Sequence, residues 1–310
     1  MAYIGQSLTR TEDHRFLTGH GRFVEDIDLP GQAWAQVVRS PHAHAAIAAI
    51  DTAAARAVPG VLAVYTHDDI AGLGLMRCPT QVATLEPMRV PPRPALAQGR
   101  VRHVGDPVAF VVAETRSAAR DGAEAVAVSY DPLPCVVDGV AAMAPGAPLL
   151  WDSVPGNISY RFQKGDADAV RAAFATAPHV VEVELVNNRL VIAPTETRAG
   201  IARFGEDGFE LILTAAGVHG IRDQLAGVFG TTQERMRVVA PDVGGGFGIK
   251  NALYPEWILL LHAARRLGRP VKWVAERAED FTGTAQGRDN VTKARLALDG
   301  EIGRASCRAS

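Results

Sequence analysis

The chain has 310 residues, 47% hydrophobic and 21% charged, with 32 Lys and Arg against 34 Asp and Glu for a net charge of −2. That length leaves room for two domains with their own cores, and the composition excludes a wholly disordered polypeptide. The balanced charge offers no basic field for nucleic acid, and Cys78, Cys135 and Cys307 include no Cys-x-x-Cys pair for a disulfide framework, iron–sulfur cluster or zinc. Residues 1–10 lack the basic and apolar regions of a secretory signal, and no apolar run reaches the ~20 residues of a membrane span. A cytoplasmic protein with no membrane span is the expectation.

Strand-like and helix-like runs alternate, which predicts an α+β (mixed α/β) chain. Residues 33–39 read as a strand, Asp51-Thr52 can cap a short helix through Ala57, and 61–66 is again strand-like. The proline-laden stretch 78–94 is too broken for regular structure. Residues 101–113 read as one strand bent at Gly105-Asp106-Pro107, 115–126 as a helix and 126–130 as a strand. A stretch rich in Pro, Gly and Ala, 138–148, is the candidate linker. Beyond it, 166–175 predicts a short helix, and the Val/Leu–Glu alternation of 180–186 predicts a strand exposed on one side. Residues 199–204 and 209–214 predict a hairpin across Gly205-Glu206-Asp207-Gly208. A helix over 219–229 leads to a strand from Met236, and a further helix runs from about Pro255 to just before Gly268.

Between that strand and that helix lies Pro241-Asp242-Val243-Gly244-Gly245-Gly246-Phe247-Gly248-Ile249-Lys250. Glycine tolerates positive φ and lets backbone come close to another group, so such a loop can aim several N–H donors at one oxyanion. Two known fingerprints fail here. The dinucleotide pattern needs a third Gly where Ile249 stands, and the P-loop needs Gly-Lys-Ser/Thr where Ile249-Lys250-Asn251 stands. The competing reading of the loop alone is a tight turn where backbones pack closely.

The run from Gly244 to Lys250 resembles the molybdopterin loop of the xanthine oxidase, aldehyde oxidase and carbon monoxide dehydrogenase large-subunit family. The likeness extends to Gly19-His20-Gly21-Arg22-Phe23-Val24-Glu25-Asp26, Arg39-Ser40-Pro41-His42-Ala43-His44-Ala45 and Val104-Gly105-Asp106-Pro107-Val108-Ala109. It continues through Tyr130-Asp131-Pro132-Leu133-Pro134, Tyr254-Pro255-Glu256 and Leu267-Gly268-Arg269-Pro270-Val271-Lys272-Trp273. The resemblance implies an α/β hammerhead domain over 1–140 and the first, incomplete part of a molybdopterin-binding domain over 141–300. It implies cofactor contacts at Gly244, Gly245, Gly246, Phe247 and Gly248, and a substrate approach formed by Phe247, Glu196 and Arg198, the alternative for Glu196 and Arg198 being an ordinary surface ion pair. The metal would be held by the pterin's sulfurs, with no direct protein ligand, and the catalytic glutamate would lie downstream, so no catalytic residue is expected within this chain.

By the same resemblance the parent reaction hydroxylates an aldehyde or N-heterocycle, or oxidises carbon monoxide, with water-derived oxygen. The cofactor is expected as the cytosine dinucleotide of molybdopterin, with the mononucleotide left open. Electrons would pass to a [2Fe–2S] small subunit and an FAD medium subunit, in a dimer of heterotrimers. A rival is a non-catalytic cofactor- or subunit-binding module of the same fold. Favouring it, Ala216 in Ala215-Ala216-Gly217-Val218-His219 stands where the family commonly carries a Gln whose amide bonds an oxygen on the metal. His42 and His44 could share a strand face as metal ligands, but no third ligand is marked by spacing, and ordinary packing is the expectation. Asp68-Asp69 and Glu279-Asp280 read as helix-start or surface carboxylates rather than an acid–base pair. Finally, 301–310 loses the hydrophobic rhythm of 291–298 and is similar to the translated read-through of a sequencing adapter. The expectation is a scar that includes Cys307, with a genuine polar tail as the alternative. An amino-terminal fragment of this kind is expected to expose an apolar patch.

Overall fold

The computed structural model describes residues 4–78 and 86–300, so residues 301–310, Cys307 and part of the proline-laden stretch lie outside the described residues. The first half forms α1 (Asp13–Leu17), β1 (Ala33–Arg39), β2 (Ala45–Asp51), α2 (Ala53–Ala57), β3 (Val61–Tyr65), α3 (His67–Ile70), β4 (Arg100–Val101), β5 (Pro107–Ala113), α4 (Arg116–Glu124) and β6 (Ala127–Pro132). The second half forms α5 (Gly139–Ala142), α6 (Ala167–Thr176), β7 (His179–Asn187), β8 (Ala199–Gly205), β9 (Gly208–Leu213), α7 (His219–Phe229), β10 (Met236–Val239), α8 (Pro255–Leu267), β11 (Val271–Val274), α9 (Arg277–Gly283) and β12 (Asn290–Leu298).

A seven-stranded sheet in the order β10-β9-β8-β11-β1-β5-β3 organises the molecule, and it draws strands from both sides of the 138–148 stretch. The join is a parallel pairing of β1 with β11, Ala33 opposite Val271 and Trp34 opposite Lys272. A smaller sheet, β4-β2-β6, sits in the first half. β5 is buried along its whole length, as its unbroken apolar sequence requires.

The core lies between the large sheet and α8, in which every residue from Pro255 to Ala264 is buried. Pro255 at the start and left-handed Gly268 at the C-cap bound the helix as the sequence predicts. Gly200 on β8 permits this contact. A Cβ there would stand 2.7 Å from Cζ3 of Trp257, closer than carbon atoms pack. Trp257 then meets Trp273 of β11 edge-on, ring centroids 5.8 Å apart.

Three local expectations differ from what forms. Residues 101–113 are two strands in different sheets, β4 and β5, because Gly105 at φ +91° and Pro107 turn the chain between them. The 138–148 stretch contains α5, capped by Asp138 accepting from Ala141 N–H at 2.6 Å. β7 is exposed on both faces, because among the described residues its only partner is β12 in a two-stranded ribbon. One ribbon face carries the ion pairs Glu184–Lys293 and Glu182–Arg295. The other presents Val181, Val183 and Leu185, an exposed apolar patch.

Candidate functional site

β10 lies at the edge of the large sheet, parallel to β9, and releases the chain into the glycine loop. Asp242 fixes the loop's entry. Its carboxylate accepts from both terminal nitrogens of Arg15 and, at 2.6 Å, from Arg22 N–H. The Arg15 hydrogen bonds and the Arg22 amide hold the Asp242 carboxyl down at about 2. Next, Gly244 N–H donates to Glu196 Oε2 at 2.7 Å, and Glu196 N–H donates back to Gly244 O at 3.1 Å. The Lys250 ammonium donates to Glu196 Oε2 and to Glu196 O, both at 2.9 Å. At the loop's exit Lys250 O accepts from Ala216 N–H at 3.0 Å, and Ile249 O accepts from the Tyr254 hydroxyl at 2.7 Å.

Between these fastenings the backbone is unusual. Gly245 and Gly248 have φ of +93° and +100°, and Phe247 is one of few non-glycine residues with positive φ, at +47°. The residue is 77% exposed. Among the described residues, the N–H groups of Gly245, Gly246, Phe247 and Gly248 donate to nothing, and all four residues are at least partly exposed. Consecutive free donors on a surface almost bare of Cβ atoms suit an oxygen-rich anionic group brought close to backbone. Among the described residues no three His, Cys, Asp or Glu side chains are grouped to hold a metal ion. Ala216 is exposed beside Gly246, where a Cβ would stand 3.9 Å from its own, and it adds neither donor nor acceptor.

The predicted site residues part company at Arg198. Gly244 to Gly248 and Glu196 come together, whereas Arg198 is 0% exposed and points away from Glu196 in its bonding. Its Nη1 donates to Glu256 Oε2 at 2.9 Å and its Nε to Asp280 Oδ1 at 3.0 Å, while its guanidinium stacks over Tyr254 at 4.1 Å. A substrate anion has no access to it, so the expected substrate-approach role is corrected to a buried structural one. Arg39 joins the same cluster, donating to Glu279 at 3.0 Å, to Glu256 at 2.5 Å and to Gly105 O at 3.1 Å. With Arg277 Nη1 3.9 Å from Asp280 Oδ2, three guanidiniums thus face three carboxylates. Although burial opposes its charge, the Arg198 and Arg39 guanidiniums hold the Glu256 carboxyl at about 2, while burial pushes Glu279 up. Glu279 and Asp280 do begin a helix, α9, but both side chains are buried rather than on the surface. His42 packs against Tyr130 and His44 Nδ1 lies 2.9 Å from Pro134 O, so each ring has a local packing or hydrogen-bonding role.

Sequence reasoning missed the Arg15–Asp242 pair, which joins residues far apart in the chain without any spacing signal. It also missed Lys250 as an anchor, although a lysine ending a glycine run is a visible mark. A cavity of about 740 Å³ lined by His44, Arg102, Cys135, Asn157 and Arg288 lies apart from the loop, none of whose residues line it.

Residues 18–134 match the family described as aldehyde oxidase and xanthine dehydrogenase, a/b hammerhead domain, and residues 150–306 match the molybdopterin cofactor-binding domain. The chain is 36% identical to the carbon monoxide dehydrogenase large chain of Afipia carboxidovorans, over 96% of its own length and 38% of that protein's. It is likewise 36% identical to the nicotine 6-hydroxylase large subunit of Paenarthrobacter nicotinovorans, over 96% of this chain and 36% of that one. Quinoline 2-oxidoreductase from Pseudomonas putida 86 superposes with a TM-score of 0.86 at 34% identity, covering 96% of this chain and 38% of that one. The chain therefore spans less than two fifths of the length of these relatives. Hammerhead followed by glycine loop, in the same order and the same fold, places the chain in the molybdopterin-binding large-subunit family of xanthine and aldehyde oxidases and carbon monoxide dehydrogenases.

Proposed function

We propose that this chain forms the glycine-loop wall of the molybdopterin site in a hydroxylase or dehydrogenase large subunit, with 1–140 as hammerhead and 141–300 as the opening of the cofactor domain. The observation that carries this reading is the row of free N–H donors at Gly245, Gly246, Phe247 and Gly248. Bound there, molybdopterin would supply a metal centre that transfers water-derived oxygen to a substrate and takes up two electrons. The chain's own part is to orient and enclose. The glycine N–H groups hold oxygen acceptors of the cofactor, and the exposed Phe247 ring walls the approach and keeps water from it. Glu196 and Lys250 keep the loop in place, and the Arg198 cluster holds the strand and helices behind it.

The substrate class is a small aldehyde, an N-heterocycle or carbon monoxide, which fits relatives named for carbon monoxide, nicotine and quinoline. Electrons leave to a [2Fe–2S] subunit and an FAD subunit in a cytoplasmic dimer of heterotrimers, with the cofactor as its cytosine dinucleotide. Among the described residues no helix is long and apolar enough to cross a membrane. A second reading, a cofactor- or subunit-binding module without turnover, is favoured by one observation. Ala216 leaves the surface beside Gly246 without a side-chain amide.

The test is the molybdenum and pterin content of the subunit encoded by the complete reading frame, made together with its iron–sulfur and flavin partners. The expected result is about one molybdenum per chain, lost in Gly246→Val, whose branched Cβ crowds the donor row. A folded subunit free of pterin overturns the proposal. Full cofactor content with turnover only in Ala216→Gln selects the second reading.

A further inference from the structure

We propose that Lys250 and Glu196 are a positioning couple that sets the attitude of the glycine loop and so aims its row of N–H donors. Residue 196 is gripped by both ends of the loop. Gly244 exchanges two hydrogen bonds with it at the start, and the Lys250 ammonium reaches its carboxylate and its carbonyl from the end. The segment from 245 to 249 is thereby closed into a ring through side chains. The Lys250 side chain is 0% exposed, and among the described residues Glu196 is its only ionic partner. A buried ammonium costs more than an apolar side chain of equal length, so its presence here is not explained by packing. What it provides is direction: a fixed charge that only one carboxylate oxygen and one carbonyl can satisfy. Gly244 completes the fit, since a Cβ on it would stand 2.5 Å from Glu196 Cβ. Glu196 Oε1 is buried and makes no hydrogen bond among the described residues, so the carboxylate is held through Oε2 alone.

The inference rests on the molybdopterin reading only for what the loop holds, and its test needs no cofactor. In the 310-residue chain, Lys250→Met, Glu196→Gln and the double variant are compared by amide exchange at Gly244, Ile249 and Ala216, by chymotryptic cleavage after exposed Phe247, and by melting temperature. Lys250→Met is expected to speed exchange at the three amides, and cleavage after Phe247, by about tenfold or more, with α8 amides unchanged. The double variant strands no charge, so its melting temperature returns toward that of the parent while Ile249 and Ala216 still exchange fast. That split separates positioning from general stability, and the double variant carries the test if Lys250→Met does not fold. Exchange at the three amides unchanged, or raised no more than in α8, overturns the inference. Loop loosening without loss of pterin in the complete subunit would leave the couple standing and sink the cofactor reading instead.

Discussion

Glu196 and Arg198 leave the same short stretch of chain and enter opposite worlds. Glu196 goes to the glycine loop, where four backbone donors have no partner among the described residues and the backbone twists into positive φ. Arg198 goes to a sealed cluster in which each nitrogen of its guanidinium donates to Glu256 or Asp280. The difference follows from exposure. Water can serve a free N–H at the surface, so an open donor row costs little there and stays ready for a ligand. A charge without a partner inside the protein costs several kcal/mol, so the buried cluster has to be closed within the fold. On the reading proposed above, function belongs at the open end and architecture at the buried one, where Glu279 Oε2 and Asp280 Oδ2 still lack hydrogen bonds among the described residues, although only one residue lies between the two ends.

The sharpest way to break that contrast is to open the closed cluster. Glu256→Ala takes one carboxylate partner from each of Arg198 and Arg39, leaving them Asp280 and Glu279, and is expected to cost about 3–5 kcal/mol, measured by urea unfolding at neutral pH. A loss under about 1 kcal/mol would mean that water already reaches the cluster and that its closure is illusory. The next effect is a defect inside the packed half. His262 on α8 is 5% exposed, edge-on to Tyr65, with neither ring nitrogen hydrogen-bonded among the described residues. Burial, then Arg265 and Arg266, lower its pKa from 6.5 to about 4. The unfolded chain therefore takes up a proton that the folded one refuses. The contribution to stability is fully present above pH 6.5 and is lost as pH falls toward 4, by about 2–3 kcal/mol in all. His262→Phe is expected to flatten that slope in unfolding curves taken between pH 7 and 4. An unchanged slope assigns the acid sensitivity elsewhere.

Much of the packed half was legible in the sequence, for reasons that the individual elements show. Pro255 and Gly268 mark the ends of α8, and His219–Phe229 forms the helix its periodicity predicts. The hairpin of β8 and β9 closes across Glu206-Asp207 as its turn residues require. These signals are local, so one window of sequence contains both cause and result. Burial is not local. β5 and β7 are both rich in Val, yet one is buried throughout and the other exposed throughout, because only β5 lies within a covered sheet. Arg198 was misplaced for the same reason. Its partners Glu256 and Asp280 come from α8 and α9, and nothing in Thr195-Glu196-Thr197-Arg198 says which side chain faces inward. The loop stands out in the sequence because four glycines surround one phenylalanine, but the glycines alone read equally well as a tight turn.

The smallest change in stability is the one that tests the open end most closely. Gly244→Ala places a Cβ 2.5 Å from Glu196 Cβ, whereas a Cβ on Gly248 meets nothing within 4 Å and only has to bear a φ of +100°. Both are expected to cost about 1–2 kcal/mol, because an exposed loop can yield where a core cannot. Their consequences for the loop should differ. Gly244→Ala pushes apart the two residues that carry the fastening, so chymotrypsin should cut after Phe247 faster in it than in Gly248→Ala at equal melting temperature. Cleavage that simply follows melting temperature in both variants would show that the loop's shape comes from its own glycines. The distinction between a loop held from outside and a cluster closed from within would then fall.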